Sequence, residues 1–439
     1  MSMRPINVGL LGIGTVGGGT FTVLQRNAEE ITRRAGRPIR ITVVGEKNIE
    51  LAKQVTGGSC RITDDAFEVV ADPEVDIVIE LIGGYGVAKE LVLKAIENGK
   101  HVVTANKALL AMHGNEIFKA AQDKNVMVAF EAAVAGGIPI VKAVREGLTA
   151  NRIEWIAGII NGTTNFILSE MRDKGLSFDV VLKEAQRLGY AEADPTFDIE
   201  GVDAAHKITL LASLAFGIPV QFNKAHIEGI SKLDAADIRY AEQLGYRIKL
   251  LGITKRTPEG VELRVHPTLI PTKRLIANVE GAMNAVLVQG DAVGATLYYG
   301  QGAGAEPTAS AVIADLVDVT RMHTADPENR VPHLAFQPNA LSDLKVLPMD
   351  EVQSSYYLRL RVVDKFGVLA DITRILADQQ ISIEAMMQKE PGEGEDQADL
   401  IMLSHLTREK QINAAIKKIE ALGVLVGQVT KLRMEELGK

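Results

Sequence analysis

From residue 6 to about 130, five short β-branched runs, INVGLLG, IRITVVG, VDIVIELIG, HVVTA and VMVAFEA, alternate with stretches of helical spacing. Strands separated by helices pair in parallel, which commits this part of the chain to a doubly wound α/β sheet covered on both faces. The first run feeds directly into Gly12, Ile13, Gly14, Thr15, Val16 and Gly17, a G-x-G-x-x-G turn that opens a helix. Glycines at this spacing allow a tight turn and close backbone approach, and the amides of the helix start attract a pyrophosphate. The expected ligand is a dinucleotide.

An acid at the end of the second strand normally meets the ribose of such a cofactor. Here the second strand ends in VVGEKNIE, so Glu46 is the candidate, and Lys47 beside it is placed to meet a 2′-phosphate. The two together leave NADP or NAD open. Further on, HVVTANKALLAMHG ends a strand in a loop carrying Thr104, Asn106 and Lys107, at the carboxyl edge where ligands of open α/β sheets sit.

A chain of 439 residues exceeds what one core supports, so two or three domains are expected. Its 48 basic and 56 acidic residues give a net charge of −8. No basic block is present to suggest a nucleic-acid or anionic-membrane partner. The one cysteine, Cys60, forms no intrachain disulfide, and no leader-like segment opens the sequence, which points to a reducing, cytoplasmic setting. The apolar run from Asn125 to Val141 contains Glu131, two glycines and Pro139, as expected of a buried strand and turn.

We divide the chain into a dinucleotide-binding domain over 1–135, completed by a returning helix within 305–330, and an α+β substrate and oligomerisation domain over 136–304. Helices are expected over Phe178 to Leu188 and Asp203 to Phe216, and strands at GVELRVHPTLI and NAVLVQG. A proline-rich linker follows over 331–353. The tail, 354–439, reads βαββαβ, a ferredoxin-like layer of helices on one sheet, ending in the strand-like VLVGQVTKL.

The stretch LGYAEADPTFDIEGVDAAHKITLLASLAFG gathers Glu192, Asp194, Asp198, Glu200 and Asp203 ahead of Lys207. Asp203 and Lys207 are i,i+4 on the expected helix and share a face. The continuation ITLLASLAFG has almost no polar side, so Lys207 is partly desolvated and its ammonium pKa is pushed down, suiting it to proton exchange. Acids around such a pair suit a substrate ammonium. The residues alone reach an NAD(P)-dependent oxidoreductase acting on an amino-acid-like compound. A conformational sensor of nucleotide and amino acid, or another dehydrogenase on the same scaffold, are the competing readings.

GLLGIGTVGGGTF, IELIGG, GKHVVTANKALL, FEAAVAGGIPI, GIINGTTNFIL, LGYAEADPTFDIEGVDAAHKITLLA and YYGQGAGAEPTASAVIADLVD, in this order, resemble the homoserine dehydrogenases. The resemblance implies interconversion of L-homoserine and L-aspartate 4-semialdehyde, with Lys207 as proton donor and acceptor and Lys107 as the second lysine. It further implies Glu192, Asp203 and Asp198 at the substrate, and Gly189 and Gly304 near the cofactor. It also implies a monovalent cation, typically sodium (Na+), at Glu131, Val134, Gly136 and Ile138. Many relatives carry a basic residue after the second strand where this chain reads GEKNI, so dual cofactor use or a tilt toward NAD is expected. From Tyr356 the tail resembles an ACT domain, implying feedback by L-threonine through Asp364, Lys365, Phe366 and Gly367, with partners near Ser382 and Ile383. A homodimer or homotetramer is expected.

Overall fold

The computed structural model describes residues 4–388 and 396–438. Strands β1 (Ile6–Leu11), β2 (Ile39–Gly45), β3 (Arg61–Thr63), β4 (Ile77–Glu80), β5 (His101–Thr104) and β6 (Val128–Ala129) form a parallel sheet in the order β3-β2-β1-β4-β5-β6. Val8, Leu10, Ile77, Ile79, Val102 and Val103 are fully buried, as a sheet with helices on both faces requires. The strand order reverses between β1 and β4, which places a ligand crevice at their carboxyl ends.

β3, three residues long, is absent from the sequence reading, because RIT carries no periodicity. The first helix also breaks at Asn27 into Thr15–Arg26 and Ala28–Ala35. The apolar run after Asn125 is shorter in strand than expected. β6 has two residues, followed by a 3₁₀ turn over Glu131–Ala133 and a helical turn at Ile140–Lys142.

The helix Ala305–Met322 returns to the first unit and packs on Thr15–Arg26. A Cβ on Gly19 would lie 2.7 Å from the Ala305 carbonyl oxygen, and Arg26 pairs with Glu306 at 2.8 Å.

The rest of the chain builds around one mixed sheet. Its middle strands are β7 (Ile153–Ile159), β8 (His226–Ile227), β9 (Tyr246–Arg256), β10 (Val261–Pro271), β11 (Met283–Gly290) and β12 (Gly294–Gln301). The tail supplies β13 (Gln353–Val363), β14 (Ile383–Gln388), β15 (Gln397–Ser404), β16 (Thr407–Arg408) and β17 (Thr430–Met434), with helices Val368–Asp378 and Glu409–Glu420 between them. The expected βαββαβ order is present. The last strand begins later than the apolar pattern suggests: of VLVGQVT only Leu425 makes a bridge, to Val362, before Thr430.

Local patterns did not reveal that the two sheets are continuous. The path runs β12-β11-β7-β9-β10-β17-β13-β15-β14, with β17 of the tail parallel to β10 at Thr268 and Leu269. The proline-rich segment is likewise pinned along this unit. Val261 N donates to Lys345 O and Leu347 N to Val261 O, each at 2.8 Å, and Ser342 N donates to Gly217 O at 2.6 Å. The helix Val202–Phe216 is buried from Asp203 onward and lies against β9, where Ile208 presses on Gly252. Its burial carries Lys207 inside.

Candidate active site

Gly12 has φ +89, and a Cβ there would lie 2.9 Å from the Leu81 carbonyl oxygen; a Cβ on Gly17 would lie 2.1 Å from the Gly12 oxygen. The turn is therefore locked against the end of β4 and against its own helix. Among the described residues nothing beyond the neighbours of Gly14 in the chain comes within 4 Å of a would-be Cβ there, and no side chain caps the helix that starts at Thr15 and Val16. The first amides of this helix stand uncovered, as a phosphate cradle requires. Glu46 sits at the end of β2 and reaches into the same loop. Its Oε2 accepts from Ile13 N at 2.9 Å and its Oε1 from Asn48 N at 3.0 Å, while Lys47 is exposed.

Glu80, which the sequence reading passed over, is fully buried at the end of β4. It accepts from Ile82 N at 2.9 Å, Gly83 N at 3.1 Å and the Thr104 hydroxyl at 2.7 Å. The Thr104 oxygen in turn accepts from Asn106 N at 3.0 Å, so this hydroxyl is spent on holding the loop. Asn106 caps the helix Lys107–Asp123 through Leu109 N and donates to Gly84 O at 2.6 Å. Lys107 is thus fixed as the first residue of a capped helix facing the crevice.

Across the crevice, Lys207 Nζ donates to Asp203 Oδ2 at 2.6 Å and to Ile160 O at 2.7 Å. Lys107 Nζ approaches the other oxygen, Asp203 Oδ1, at 3.2 Å and lies 5.8 Å over the Phe197 ring. Asn161 caps the helix Gly162–Lys174 and divides its amide between two carboxylates, Asp198 Oδ1 at 2.8 Å and Asp203 Oδ2 at 2.9 Å. The structure therefore brings together Lys107, Lys207, Asp198 and Asp203, and adds Asn161 and the Ile160 carbonyl. GIINGTT held a signal for Asn161, since asparagine before a glycine-opened helix is a preferred cap.

Burial works to raise the Asp203 carboxyl, but the ammonium groups of Lys207 and Lys107 overcome it and hold Asp203 below the usual range. Burial pushes the Lys207 ammonium down against the attraction of Asp203, and Lys107 adds to the fall. Asp198 is raised by burial and by the neighbouring Asp203 charge. His206, between Phe197 and Phe222, is pushed down to about 4, chiefly by burial.

Glu192 lies in an exposed loop, where Gln186 holds its backbone carbonyl at 3.1 Å and its carboxylate has no partner among the described residues. Gly189 turns this loop with φ +79, and Gly304, φ +122, precedes the returning helix. Glu131 is buried, with its oxygens accepting from Val141 N and Lys142 N at 2.8 Å each. Burial and the nearby Asp315 push it up to about 7. Val134, Gly136 and Ile138 form the adjoining loop, in which Ala135 and Gly136 take consecutive positive φ values. Among the described residues no group of three or more histidine, cysteine or acidic side chains is arranged to hold a metal.

Lys207 is a buried amine, and Asp203 links it to Lys107 at the carboxyl edge of the parallel sheet; a dry amine can lose and regain a proton, the chemistry that accompanies hydride transfer with a dinucleotide. The class is a nicotinamide-dependent dehydrogenase. Residues 139–317 match the family Homoserine dehydrogenase, residues 12–131 match Homoserine dehydrogenase, NAD binding domain, and residues 356–424 match ACT domain. A homoserine dehydrogenase of Pseudomonas aeruginosa is 63% identical over 99% of this chain and 100% of its own length, and one of Bacillus subtilis is 39% identical over 99% and 100%. The crystal structure of a homoserine dehydrogenase from Thiobacillus denitrificans superposes with a TM-score of 0.96 at 69% identity, covering 100% of both chains. A hyperthermophilic archaeal homoserine dehydrogenase in complex with NADPH superposes at 0.62 with 25% identity over 72% of this chain and 98% of its own. The chain belongs to the homoserine dehydrogenases, NAD(P)-dependent oxidoreductases, and carries an ACT domain at its end. Among the described residues no helix is long and apolar enough to cross a membrane.

Proposed function

We propose that Lys207 is the proton-transfer group of this homoserine dehydrogenase. It takes the proton of the terminal hydroxyl as L-homoserine becomes L-aspartate 4-semialdehyde, and returns it in the reverse direction. The nicotinamide, when bound, accepts or returns the hydride. The carrying observation is the bonding of Lys207 Nζ: Asp203 and the Ile160 carbonyl account for the two N–H groups of a neutral amine. The lone pair of that amine is left for the substrate hydroxyl. Burial favours the neutral form, and Asp203 fixes the direction of the lone pair. Lys107, on the cofactor side of the crevice, orients the substrate and shares the Asp203 charge.

Asp198 and Asp203 face the amino-acid end of the substrate. Glu192 joins them for the ammonium, its carboxylate having no other partner among the described residues. Phe197 and Tyr190 belong to the same lip, and Thr163 ties that lip down through the Tyr190 carbonyl at 2.7 Å. Steady-state turnover of L-homoserine by Lys207→Met tests the assignment. Loss of turnover with the cofactor still bound supports it, and turnover near that of the parent overturns it.

The glycine turn, Glu46 and Lys47 hold the cofactor, with Thr104, Gly189 and Gly304 around it. The archaeal NADPH complex supports use of the phosphorylated cofactor by this scaffold. Glu46 favours a free 2′-hydroxyl, so NAD is the better substrate and NADP is accepted through Lys47. A sodium ion suits the buried Glu131 with the carbonyls of Val134, Gly136 and Ile138. One carboxylate and neutral oxygens match a singly charged hard cation, and a carboxyl raised by burial is the group such a cation relieves.

The tail takes L-threonine as feedback effector through Asp364, Gly367 and Ile383. Gly367 has φ +87 and opens the helix Val368–Asp378, leaving its first amides available to a carboxylate. A homodimer or homotetramer fits the edges of β12 and β14, which end the long sheet among the described residues, since an edge strand offers backbone groups for pairing.

A further inference from the structure

β8 and β17 add end to end on the same edge of β10: β8 pairs at Arg264 and Val265, and β17 at Thr268 and Leu269, both in parallel. One belongs to the middle unit, the other is the last strand of the tail. Where they abut, Arg433 of β17 is 1% exposed and sends its guanidinium to Glu228, just beyond β8. Nη1 lies 2.8 Å from Oε2 and Nη2 2.9 Å from Oε1. The same guanidinium donates to Glu409 of the tail through Nε at 2.9 Å and Nη2 at 2.6 Å. A planar fork that serves two carboxylates at once admits little freedom in either.

From Glu228 the path to the active site is backbone. A Cβ on Gly229 would lie 2.3 Å from the Ile199 carbonyl oxygen and 2.5 Å from Glu200 Cα. Ile230 N donates to the same Ile199 oxygen at 2.8 Å. Ile199 follows Asp198, and Gly201 O receives the first-turn bond from Ala205 N of the helix that carries Asp203 and Lys207. A displacement of residues 228–230 has no slack to absorb it before it reaches the backbone between Asp198 and Asp203.

We propose that Arg433 and Glu228 are positioning residues for the substrate acids. The last strand of the tail, through this fork, holds residues 228–230 against 199–200 and so sets the spacing of Asp198 and Asp203. The inference rests on the assignment of those two acids to the substrate. It gives the tail a route to the homoserine side of the site that bypasses the dinucleotide unit.

The test uses the full chain with Glu228→Gln, Arg433→Lys and the double variant, measuring KM for L-homoserine and for the nicotinamide cofactor, kcat, and the thermal midpoint. Glu228→Gln keeps shape, and Arg433→Lys keeps charge but cannot span both carboxylates. Small misplacements at a reacting site are costly, so KM for homoserine rises about tenfold in each single variant while the cofactor KM moves less than about twofold. The double variant is no worse than the worse single one, because both cut one link. Homoserine KM within about twofold of the parent in variants that only melt earlier overturns the proposal, as do equal losses for substrate and cofactor. If Arg433→Lys does not fold, Glu228→Gln alone decides between these outcomes. A parent that fails to turn over L-homoserine refutes the substrate assignment; a competent parent with indistinguishable variants refutes only the coupling.

Discussion

Lys107 Nζ, on the first turn of a helix in the dinucleotide unit, lies 3.2 Å from Oδ1 of Asp203 in the substrate unit, whose Oδ2 takes Lys207 at 2.6 Å. One buried carboxylate thus joins the two halves of the crevice and holds both lysines. Its loss removes the group that both lysines are held by, leaving the buried Lys207 without its ionic partner beside a half-buried Lys107.

Asp203 is the main group that raises Lys207 against burial, with a smaller contribution from Asp198. Asp203→Asn therefore shifts the Lys207 equilibrium further toward the neutral amine. In the parent, the ascending limb of kcat against pH for homoserine oxidation falls below the ordinary lysine value of 10.5. In Asp203→Asn it moves to still lower pH, with turnover reduced about 10²-fold from lost orientation. A limb that stays in place would remove Lys207 as the titrating base.

Glu46 bridges Ile13 N and Asn48 N, and its removal frees the glycine loop while discarding the acceptor for a ribose 2′-hydroxyl. Glu46→Ala lowers the ratio of kcat/KM with NAD to that with NADP by about tenfold, the scale of one charge-assisted hydrogen bond. Lys47→Ala moves the ratio the opposite way. Initial rates with both cofactors at fixed homoserine check the pair.

The raised Glu131 gives a cation test whose sign is fixed. An acid titrating at about 7 when folded, against the ordinary glutamate value of 4.5, binds its proton more tightly in the native state, so stability falls as pH rises through that window. A bound sodium ion favours the carboxylate and cancels the loss. Sodium chloride, compared with choline chloride at equal ionic strength, raises the melting temperature above the window and leaves it unchanged below. Equal effects at both ends contradict the site.

The tail gives a ligand test of its own. L-threonine added to the enzyme lowers turnover of homoserine, and Gly367→Val, which strains a positive φ and puts a branched side chain into the open space before the helix, weakens the response several-fold while turnover without threonine is kept. Inhibition curves for the two proteins check it, and an unchanged response in a folded variant moves the effector elsewhere.

The doubly wound sheet was readable in the sequence because β-branched runs and the glycine turn are local signals, and each of the five runs holds a strand. Lys207 was readable because the helix behind it has no polar face. β3 was not, since three residues carry no period. Neither was the joining of β10 to β17, whose partners stand some 165 residues apart in Thr268 and Arg433 and show no mutual signal in composition. Glu80 stayed silent for another reason, since a carboxylate at a strand end is common and its value here lies in what packs around it; Asn161 showed only as a helix cap, and its two carboxylate partners, 37 and 42 residues away, left no local trace.

The most direct measurement follows reduced-nicotinamide absorbance with saturating L-homoserine in the parent and in Lys207→Met, with cofactor binding measured separately by fluorescence. Removal of a proton-transfer group costs about 10²–10⁴-fold, so kcat falls by that factor while the cofactor dissociation constant is unchanged. Turnover within a few-fold of the parent, in a variant that folds and binds cofactor, would contradict the assignment of Lys207.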